Sequence, residues 1–324
     1  MINGKFGFAV IGYGGMGSWH TRKVKNEMGE YAELIGIYDI DPARNKVAEE
    51  NGIHAFASRE ELLADERIDL VTVATPNDYH KEIVMAALRA GKNVISEKPV
   101  TICSADLEEM IACANECGKL FTVHQNRRWD EDYLTMKKLL DDGTLGKVFR
   151  IESRVQGSRG IPGDWRNQKQ HGGGMVFDWG IHLLDQALMM TLPRKLKTVY
   201  AELTNVTNEN CDDGFRATLI FDDGLSFYVE VTTSNFISLP LWYMLGENGT
   251  SRPSWSPIGK TGTPCPSLRA QVSPRQWRRG RTTPSRSILS TSKRPTGANT
   301  TRMCSHISGA RNPLSLPTIS SAGF

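Results

Sequence analysis

The sequence predicts an α/β fold built on a doubly wound parallel sheet, and three observations support this prediction. A short apolar run, about residues 5–11, leads into a glycine-rich turn and then into a helix pattern. Nearly continuous apolar runs then alternate with amphipathic helix patterns as far as residue 143, which is typical of parallel strands covered on both faces. The chain has 324 residues, enough for two domains, since one domain usually holds about 100–200 residues.

The first strand and helix are joined by the stretch "GYGGMG", which contains a GxGxxG pattern. In a strand–turn–helix setting, Gly12 permits the tight turn, Gly14 lets the backbone approach a pyrophosphate, and Gly17 allows close packing of helix on strand. Gly15 and Met16 complete the turn, and the start of the helix offers N–H groups to phosphate oxygens. The pattern therefore predicts a dinucleotide-binding site.

The second strand, in "AELIGIYDID", ends at Asp39. This is the distance from the glycines at which an acidic residue binds the ribose hydroxyls of a dinucleotide. A carboxylate there repels a 2′-phosphate and so favours NAD over NADP. Arg44 is close enough in sequence to weaken that preference.

Three further strands are predicted in "DLVTVAT", "NVISEKP" and "LFTVHQ", and three helices in "HKEIVMAALRAG", "SADLEEMIACANECG" and "DEDYLTMKKLLDDG". Ligands of parallel sheets bind beyond the carboxyl ends of the strands. We therefore expect functional residues where these strands end, and the candidates are Asp39, Thr75, Pro76, Asn77, Glu97, Lys98, Pro99 and 125–128.

Asp178 and His182 are four residues apart in "GGGMVFDWGIHLLD". On an α-helix this spacing puts both side chains on one face, yet any amphipathic helix can produce it, so spacing alone favours an ordinary structural helix. Gly172, Gly173 and Gly174 are expected to let the backbone pass close to a ligand. Asp185 lies near the same face, with a helix-stabilising role as plausible as a substrate contact.

Composition describes a globular protein, with 39% hydrophobic and 23% charged residues. No apolar run reaches the roughly 20 residues of a membrane span, and no export signal is recognised, so we expect a cytoplasmic protein without a membrane partner. The six cysteines form no paired motif and are expected to be reduced. His20, His54, His124 and His171 show no metal-ligand spacing, so no metal is predicted.

Charge changes abruptly near residue 250. From Thr250 onward there are twelve Lys and Arg residues and no acidic residue, so residues 1–249 carry 27 basic and 36 acidic groups. One reading is a basic, disordered arm for an anionic partner. We favour another interpretation, that residues 250–324 are a frameshifted tail. Residues 252–267 can be back-translated with permitted codons, and translating that DNA from its third base restores acidic residues and a strand-like pattern. Loss of the normal last strands would expose a sheet edge and favour aggregation, and no nucleic-acid partner is expected.

Four stretches in order carry a resemblance to a known family. They are GxGxxG at Gly12–Gly17, "ATPNDYH" at Ala74–His80, "EKP" at Glu97–Pro99 and "DWGIHLLD" at Asp178–Asp185. Together they resemble the Gfo/Idh/MocA family of NAD(P)-dependent sugar and cyclitol oxidoreductases, which includes glucose–fructose oxidoreductase and inositol dehydrogenase. The resemblance covers roughly residues 5–249.

The resemblance implies a Rossmann domain over residues 1–126 and a substrate domain with a mostly antiparallel open sheet over residues 127–249. It implies hydride transfer between a nicotinamide cofactor and a secondary alcohol of a sugar, glycoside or inositol. Family members often form homodimers or homotetramers. An NAD-dependent glycosidase that oxidises its substrate transiently and a non-catalytic, nucleotide-responsive regulator of the same fold are the alternatives.

The resemblance also implies roles for single residues. Lys98, Asp178 and His182 correspond to the catalytic trio, in which His182 suits a general base, Lys98 a donor to the reacting oxygen, and Asp178 a substrate or imidazole contact. The expected cofactor contacts are Gly12, Gly14, Gly15, Met16, Gly17, Asp39, Thr75, Pro76, Asn77, His80, Glu97, Lys98, Trp165 and Arg166. Arg127 and Arg128 are either substrate contacts or solvated charges, and His80 either meets the nicotinamide or simply opens a helix.

Overall fold

The computed structural model describes residues 4–254, 269–274 and 286–289. The chain forms two compact units, one up to Asn126 and the other from Arg127 onward. Within the described ranges, no helix is both long and apolar enough to cross a membrane.

The first unit is a parallel sheet with helices on both faces. Its strands are β1 (Phe6–Ile11), β2 (Ala32–Tyr38), β3 (Leu70–Val73), β4 (Asn93–Ser96) and β5 (Phe121–Val123), and its helices are α1 (Gly15–Glu27), α2 (Pro42–Glu50), α3 (Arg59–Ala64), α4 (His80–Arg89) and α5 (Ser104–Cys117). The strand order is β2-β1-β3-β4-β5, and every pairing is parallel. An isolated parallel bridge joins Ile37 to Ala55 beside β2. The strand order reverses between β1 and β3, where such sheets bind ligands.

The burial of these strands explains the nearly continuous apolar runs. All four residues of β3 are buried, and alternate residues of β1 face opposite sides of the sheet. Ala9 and Ile11 belong to one apolar cluster, whereas Phe8 and Val10 belong to another. The predicted doubly wound sheet is therefore confirmed.

Two helices of this unit were not anticipated from the apolar pattern, because both are short and α2 is mostly exposed. Helix α2 begins after Asp41, whose side chain accepts the N–H of Ala43 at 2.9 Å. Helix α3 begins after Ser58, whose hydroxyl accepts the N–H of Glu61 at 3.0 Å. Both starts are readable as capping signals in the sequence.

The second unit is built around a large mixed sheet. Its helices are α6 (Glu131–Asp141) and α7 (Ile181–Thr191), and its strands are β6 (Val148–Gln156), β7 (Leu196–Thr204), β8 (Gly214–Phe221), β9 (Ser226–Thr232), β10 (Trp242–Gly246), β11 (Gly249–Ser251), β12 (Pro253–Ser254), β13 (Arg269–Pro274) and β14 (Arg286–Leu289). The order is β12-β13-β11-β10-β6-β9-β8-β7, with β14 paired to β13. Among the described strands of this second sheet, only β6 and β9 pair in parallel, so the expected mostly antiparallel second sheet is confirmed.

One face of this sheet packs on helices. The alternating residues of β8 and β9, such as Phe215, Leu219 and Phe227, form one apolar cluster with Leu183 and Met190 of α7. This packing anchors the segment that carries Asp178 and His182. The predicted tail, residues 250–324, lies mostly outside the described residues, although short strands within it are described, and its origin by frameshift stays a prediction.

Candidate functional site

The glycine turn has one closed side and one open side. Gly12 has a φ of +93°, and a Cβ there would lie 2.7 Å from the carbonyl oxygen of Ala74. A Cβ on Gly17 would lie 1.8 Å from the carbonyl oxygen of Gly12. By contrast, a Cβ on Gly14 or Gly15 would meet no heavy atom within 4 Å. The protein therefore presents bare backbone at the second glycine, as a pyrophosphate requires.

Helix α1 begins directly at this open side. Gly14 is its N-cap and supplies no side-chain hydrogen bond, so the first N–H groups of the helix are not capped by that residue. Exposed helix N–H groups and the positive end of the helix dipole attract phosphate oxygens. The residues present thus fit the pyrophosphate of a dinucleotide.

Asp39 joins the end of β2 to the glycine turn. Its Oδ2 accepts the N–H of Tyr13 at 2.6 Å, and its Oδ1 accepts the N–H of Asp41 at 2.9 Å. The side chain remains half-buried, and a carboxylate accepts about four hydrogen bonds in all. Asp39 therefore both fixes the turn and retains acceptor capacity for ribose hydroxyls.

His80 supports the surrounding turns, and its expected contact with the nicotinamide stays a prediction. Its side chain is fully buried, with Nε2 2.9 Å from the carbonyl oxygen of Thr75 and Nδ1 3.0 Å from that of Pro99. Burial lowers the pKa of the imidazole, against the raising effect of these carbonyls. A neutral imidazole carries one N–H, so the ring donates to one of these two carbonyls and packs against the other. The suggestion that His80 opens a helix agrees with α4 (His80–Arg89).

Glu97 lies at the centre of a buried cluster that the sequence analysis did not recognise. Its Oε1 is 2.6 Å from Nε2 of His20 and 2.9 Å from Nδ1 of His124. Its Oε2 accepts the backbone N–H of Lys98 at 3.3 Å. The exposed fractions of His20, Glu97 and His124 are 1%, 5% and 2%.

The signal for part of this cluster was present in the sequence. The buried residues of α1 are Gly17, His20, Thr21 and Val24, which follow the three-and-four spacing of an inward helix face. His20 therefore belongs to the inner face of a helix that starts at the nucleotide turn. Nothing local in the sequence indicates that Glu97 and His124 meet it there.

The same three side chains are the type that binds a metal ion, and their nearest ligand atoms lie within 4.8 Å of one another. Direct hydrogen bonds at 2.6 and 2.9 Å already join them. Ligand atoms around a tetrahedral zinc, each about 2.0–2.1 Å from the metal, are separated by about 3.3 Å. The observed contacts are therefore those of a hydrogen-bonded cluster.

In the second unit, Asp178 and His182 do not share a regular α-helix. Val176–Gly180 forms a π-helical turn, and α7 begins at Ile181. The expectation of one helical turn between the two residues is therefore wrong in detail, because a π-turn places successive side chains at a different angle. Both residues are buried, at 8% and 5% exposure, and π-turns inside helices are frequent at functional sites.

The glycines before this turn make room for protein atoms. A Cβ on Gly173 would lie 2.3 Å from the carbonyl oxygen of Arg166. Gly174 has a φ of +104°, and a Cβ there would lie 2.1 Å from Oδ1 of Asp212. The expectation that these glycines admit a ligand is therefore corrected, since the backbone approaches Arg166 and Asp212 instead.

Arg166 pairs with the candidate catalytic carboxylate. Its Nε is 3.0 Å from Oδ2 of Asp178, and its Nη1 is 2.7 Å from Oδ2 of Asp164. The guanidinium lies over the ring of Trp165, 4.6 Å from the ring centroid. Arg166 thus orients Asp178, and the predicted contact of Trp165 and Arg166 with the cofactor stays a prediction.

The two neighbouring arginines have different environments. Arg127 lies over the ring of Trp179, 4.2 Å from its centroid, and pairs with Asp130 at 3.0 Å. Arg128 forms a two-pronged pair with Asp185, at 2.7 and 2.5 Å. Asp185 therefore holds Arg128 in place. Arg127 instead contacts Trp179, which lies between Asp178 and His182 in the sequence.

Comparison with known proteins gives two family matches. Residues 6–125 match the profile "Oxidoreductase family, NAD-binding Rossmann fold", and residues 133–252 match "GFO/IDH/MocA C-terminal domain". A solved NAD-binding protein from Listeria innocua is 46% identical, with a TM-score of 0.74, and the match covers 76% of this chain and 70% of that one.

Two curated relatives are also similar. The oxidoreductase YdgJ of Escherichia coli is 36% identical over 60% of this chain and 56% of its own length. The scyllo-inositol 2-dehydrogenase (NADP(+)) IolW of Bacillus subtilis is 33% identical over 55% of this chain and 50% of its own length. The chain thus spans little more than half the length of these relatives.

Proposed function

Because the chain belongs to the Gfo/Idh/MocA oxidoreductase family, we propose that it transfers a hydride between a nicotinamide cofactor and a secondary alcohol of a sugar, glycoside or inositol. One observation carries the proposal. A nucleotide turn with an open second glycine occurs in the same chain as Lys98, Asp178 and His182. The name of IolW supports the inositol member of this substrate class.

The first unit supplies the residues that would hold the cofactor. Gly14 and Gly15, with the start of α1, suit the pyrophosphate, and Asp39 suits the adenosine ribose. Thr75, Pro76 and Asn77 follow β3 at the carboxyl edge of the sheet. When bound, the nicotinamide nucleotide supplies the hydride acceptor for alcohol oxidation.

We propose NAD as the preferred cofactor, because a 2′-phosphate at the end of β2 would meet the carboxylate of Asp39. Arg44 is exposed and is a nearby cation that could meet such a phosphate. Since IolW is named for NADP, titration of the full chain with both nucleotides is required. Equal affinity for both would contradict the preference.

The residues of the chain have separate tasks in this proposal. The ammonium of Lys98 donates to the alcohol oxygen and stabilises the negative charge that develops as the proton leaves. His182 accepts that proton, since imidazole exchanges protons near neutral pH. Asp178 is held by Arg166 at 3.0 Å and contacts either the substrate or the imidazole.

Arg127 is the proposed substrate contact of the second unit. Its guanidinium is stacked on Trp179, and the Trp179 ring lies 6.1 Å from that of His182, centroid to centroid. A planar cation held in this way can donate to sugar hydroxyls with little loss of side-chain freedom. Arg128 is instead committed to Asp185.

The proposal is tested by measuring NADH formation at 340 nm with a panel of sugars, glycosides and inositols. Net NADH formation with one of them supports a dehydrogenase. Glycoside cleavage without net NADH would favour the glycosidase alternative. Nucleotide binding without turnover of any kind, unchanged in Lys98→Ala, would favour the regulator.

We also propose a cytoplasmic location and assembly into homodimers or homotetramers. Strand β7 is the last in the sheet order, and Leu196, Tyr200 and Leu203 on it are 40%, 68% and 56% exposed. Exposed apolar side chains on an edge strand favour association. Light scattering after size exclusion tests this. A monodisperse monomer would contradict it, whereas a broad aggregate peak is the result expected if the altered tail exposes a sheet edge.

A further inference from the structure

We infer that the buried cluster of His20, Glu97 and His124 is a positioning unit that fixes the Lys98 turn against helix α1 and the end of β5. The inference rests on the proposed function, since it concerns the lysine proposed to act on the alcohol oxygen. His20 lies in α1, Glu97 directly follows β4, and His124 directly follows β5. The cluster therefore joins three elements at the ligand edge of the sheet.

The two oxygens of Glu97 serve different partners. Oε1 is shared by Nε2 of His20 and Nδ1 of His124, at 2.6 and 2.9 Å. Because a carboxylate only accepts, each of these ring nitrogens carries the hydrogen. Oε2 accepts the backbone N–H of Lys98 at 3.3 Å. The imidazoles thus set the plane of the carboxylate, and the carboxylate sets the position of the Lys98 backbone.

Charge and burial make this arrangement firm. Burial alone raises the pKa of the Glu97 carboxyl, but the hydrogen bonds from His124 and His20 outweigh it, and the pKa lies below its usual range. Burial is also the main cause of a lowered pKa for His20, against the raising effect of its hydrogen bond to Glu97. A buried carboxylate is stable only when its oxygens are hydrogen-bonded, so loss of one partner is costly.

A second contact holds the same turn from its other side. The carbonyl oxygen of Pro99 lies 3.0 Å from Nδ1 of the buried His80. Lys98 is therefore flanked by Glu97, which belongs to the cluster, and by Pro99, whose carbonyl oxygen lies against His80 of α4. The backbone of the turn has little freedom, which favours a fixed direction for the lysine side chain.

The test compares Glu97→Gln with Asp69→Asn in the full chain. The glutamine carbonyl can still accept from both imidazoles, but its NH₂ cannot accept from Lys98, so the variant breaks mainly the last link. Asp69 is the matched control, because its Oδ2 accepts the N–H of Gly7 at 2.9 Å and it directly precedes β3, at the opposite end of the sheet from the Lys98 turn.

We measure amide hydrogen exchange over residues 97–103, the dissociation constant of NAD, and kcat. For Glu97→Gln we expect the amide exchange rate in the turn to rise about tenfold and kcat to fall about tenfold. This is the effect of losing one hydrogen bond to a charged group. The NAD dissociation constant should change less than about threefold, since the phosphate site is intact. Asp69→Asn should leave all three measurements at wild-type values.

Unchanged exchange in Glu97→Gln, or an equal change in Asp69→Asn, would overturn the inference. The exchange result does not depend on turnover, so it decides the inference even if no polyol is oxidised and the proposed function fails. If Glu97→Gln does not fold, His124→Asn and His124→Leu replace it. Asparagine keeps a donor for Glu97 and should retain kcat, whereas leucine should lose it, and equal kcat in the two would contradict the inference.

Discussion

The open side of the nucleotide turn gives a prediction that separates ligand binding from folding. Gly14 has a φ of −80° and a ψ of −154°, which alanine adopts without strain. A methyl group there would meet no protein atom within 4 Å. Gly14→Ala should therefore leave the free energy of unfolding within about 0.5 kcal/mol of the wild-type value.

The same methyl group should weaken nucleotide binding. It occupies the space through which the pyrophosphate approaches the backbone of the turn. Loss of one charge-assisted hydrogen bond costs about 2 kcal/mol, which corresponds to an increase of about 30-fold in the NAD dissociation constant.

Gly17→Ala is the contrasting variant. Its Cβ would lie 1.8 Å from the carbonyl oxygen of Gly12, and real contacts require more than 3.0 Å. Helix α1 must then move by more than an ångström from the turn, at a cost of about 1–3 kcal/mol or more. This variant should lose both stability and binding.

Chemical denaturation gives the free energy of unfolding, and calorimetric titration gives the NAD dissociation constant. The reasoning predicts that Gly14→Ala changes only the second quantity. Wild-type NAD affinity in a folded Gly14→Ala protein would show that the pyrophosphate does not approach this turn.

Three further predictions concern catalysis, packing and pH. Lys98→Ala should lower kcat by at least about 100-fold, since one donor to a developing oxyanion contributes about 2.7–4 kcal/mol. NAD affinity by calorimetry should fall far less, because the phosphate site at the start of α1 is intact; an active variant would remove Lys98 from the mechanism. Phe227 is 0% exposed in the core of the second unit, so Phe227→Ala should lower the free energy of unfolding by about 3–5 kcal/mol. A loss below about 1 kcal/mol in urea denaturation would contradict the packing. Because the pKa values of His20 and His80 are lowered from 6.5 and that of Glu97 from 4.5, the unfolded chain binds more protons than the folded one in acid, so stability should fall below pH 6.5 and again below pH 4.5. His20→Asn should reduce the first fall and leave the part that comes from His80, and an unchanged pH profile would refute the contribution of His20.

Much of the first unit was predictable because its signals are local. A buried parallel strand needs apolar residues on both faces, so "AVI" and "LVTV" are recognisable without knowledge of their neighbours. Helix α2 was missed because it is mostly exposed, and α3 because its six residues are too few to show a repeating apolar stripe. Their capping residues, Asp41 and Ser58, were the available signal.

The residues of the candidate site were proposed from the sequence, and their membership stays a prediction, but their local geometry was not predictable. Lys98, Asp178 and His182 were found from short motifs. The π-turn at Val176–Gly180 was not, because the local sequence fits an α-helix equally well. The pairing of Arg166 with Asp178 likewise depends on how a loop folds back, which no periodicity encodes.

The sequence by itself determined the five strands of the first unit, its helices α1, α4 and α5, the nucleotide turn and the family. Those features follow from backbone sterics and from burial repeated at short intervals along the chain. Only the tertiary structure decided that His20, 77 residues from Glu97, and His124 both donate to the buried Glu97 carboxylate. It also decided that Gly174 makes room for Asp212. Such contacts depend on the packing of distant segments, where a fraction of an ångström decides between a hydrogen bond, a clash and open space.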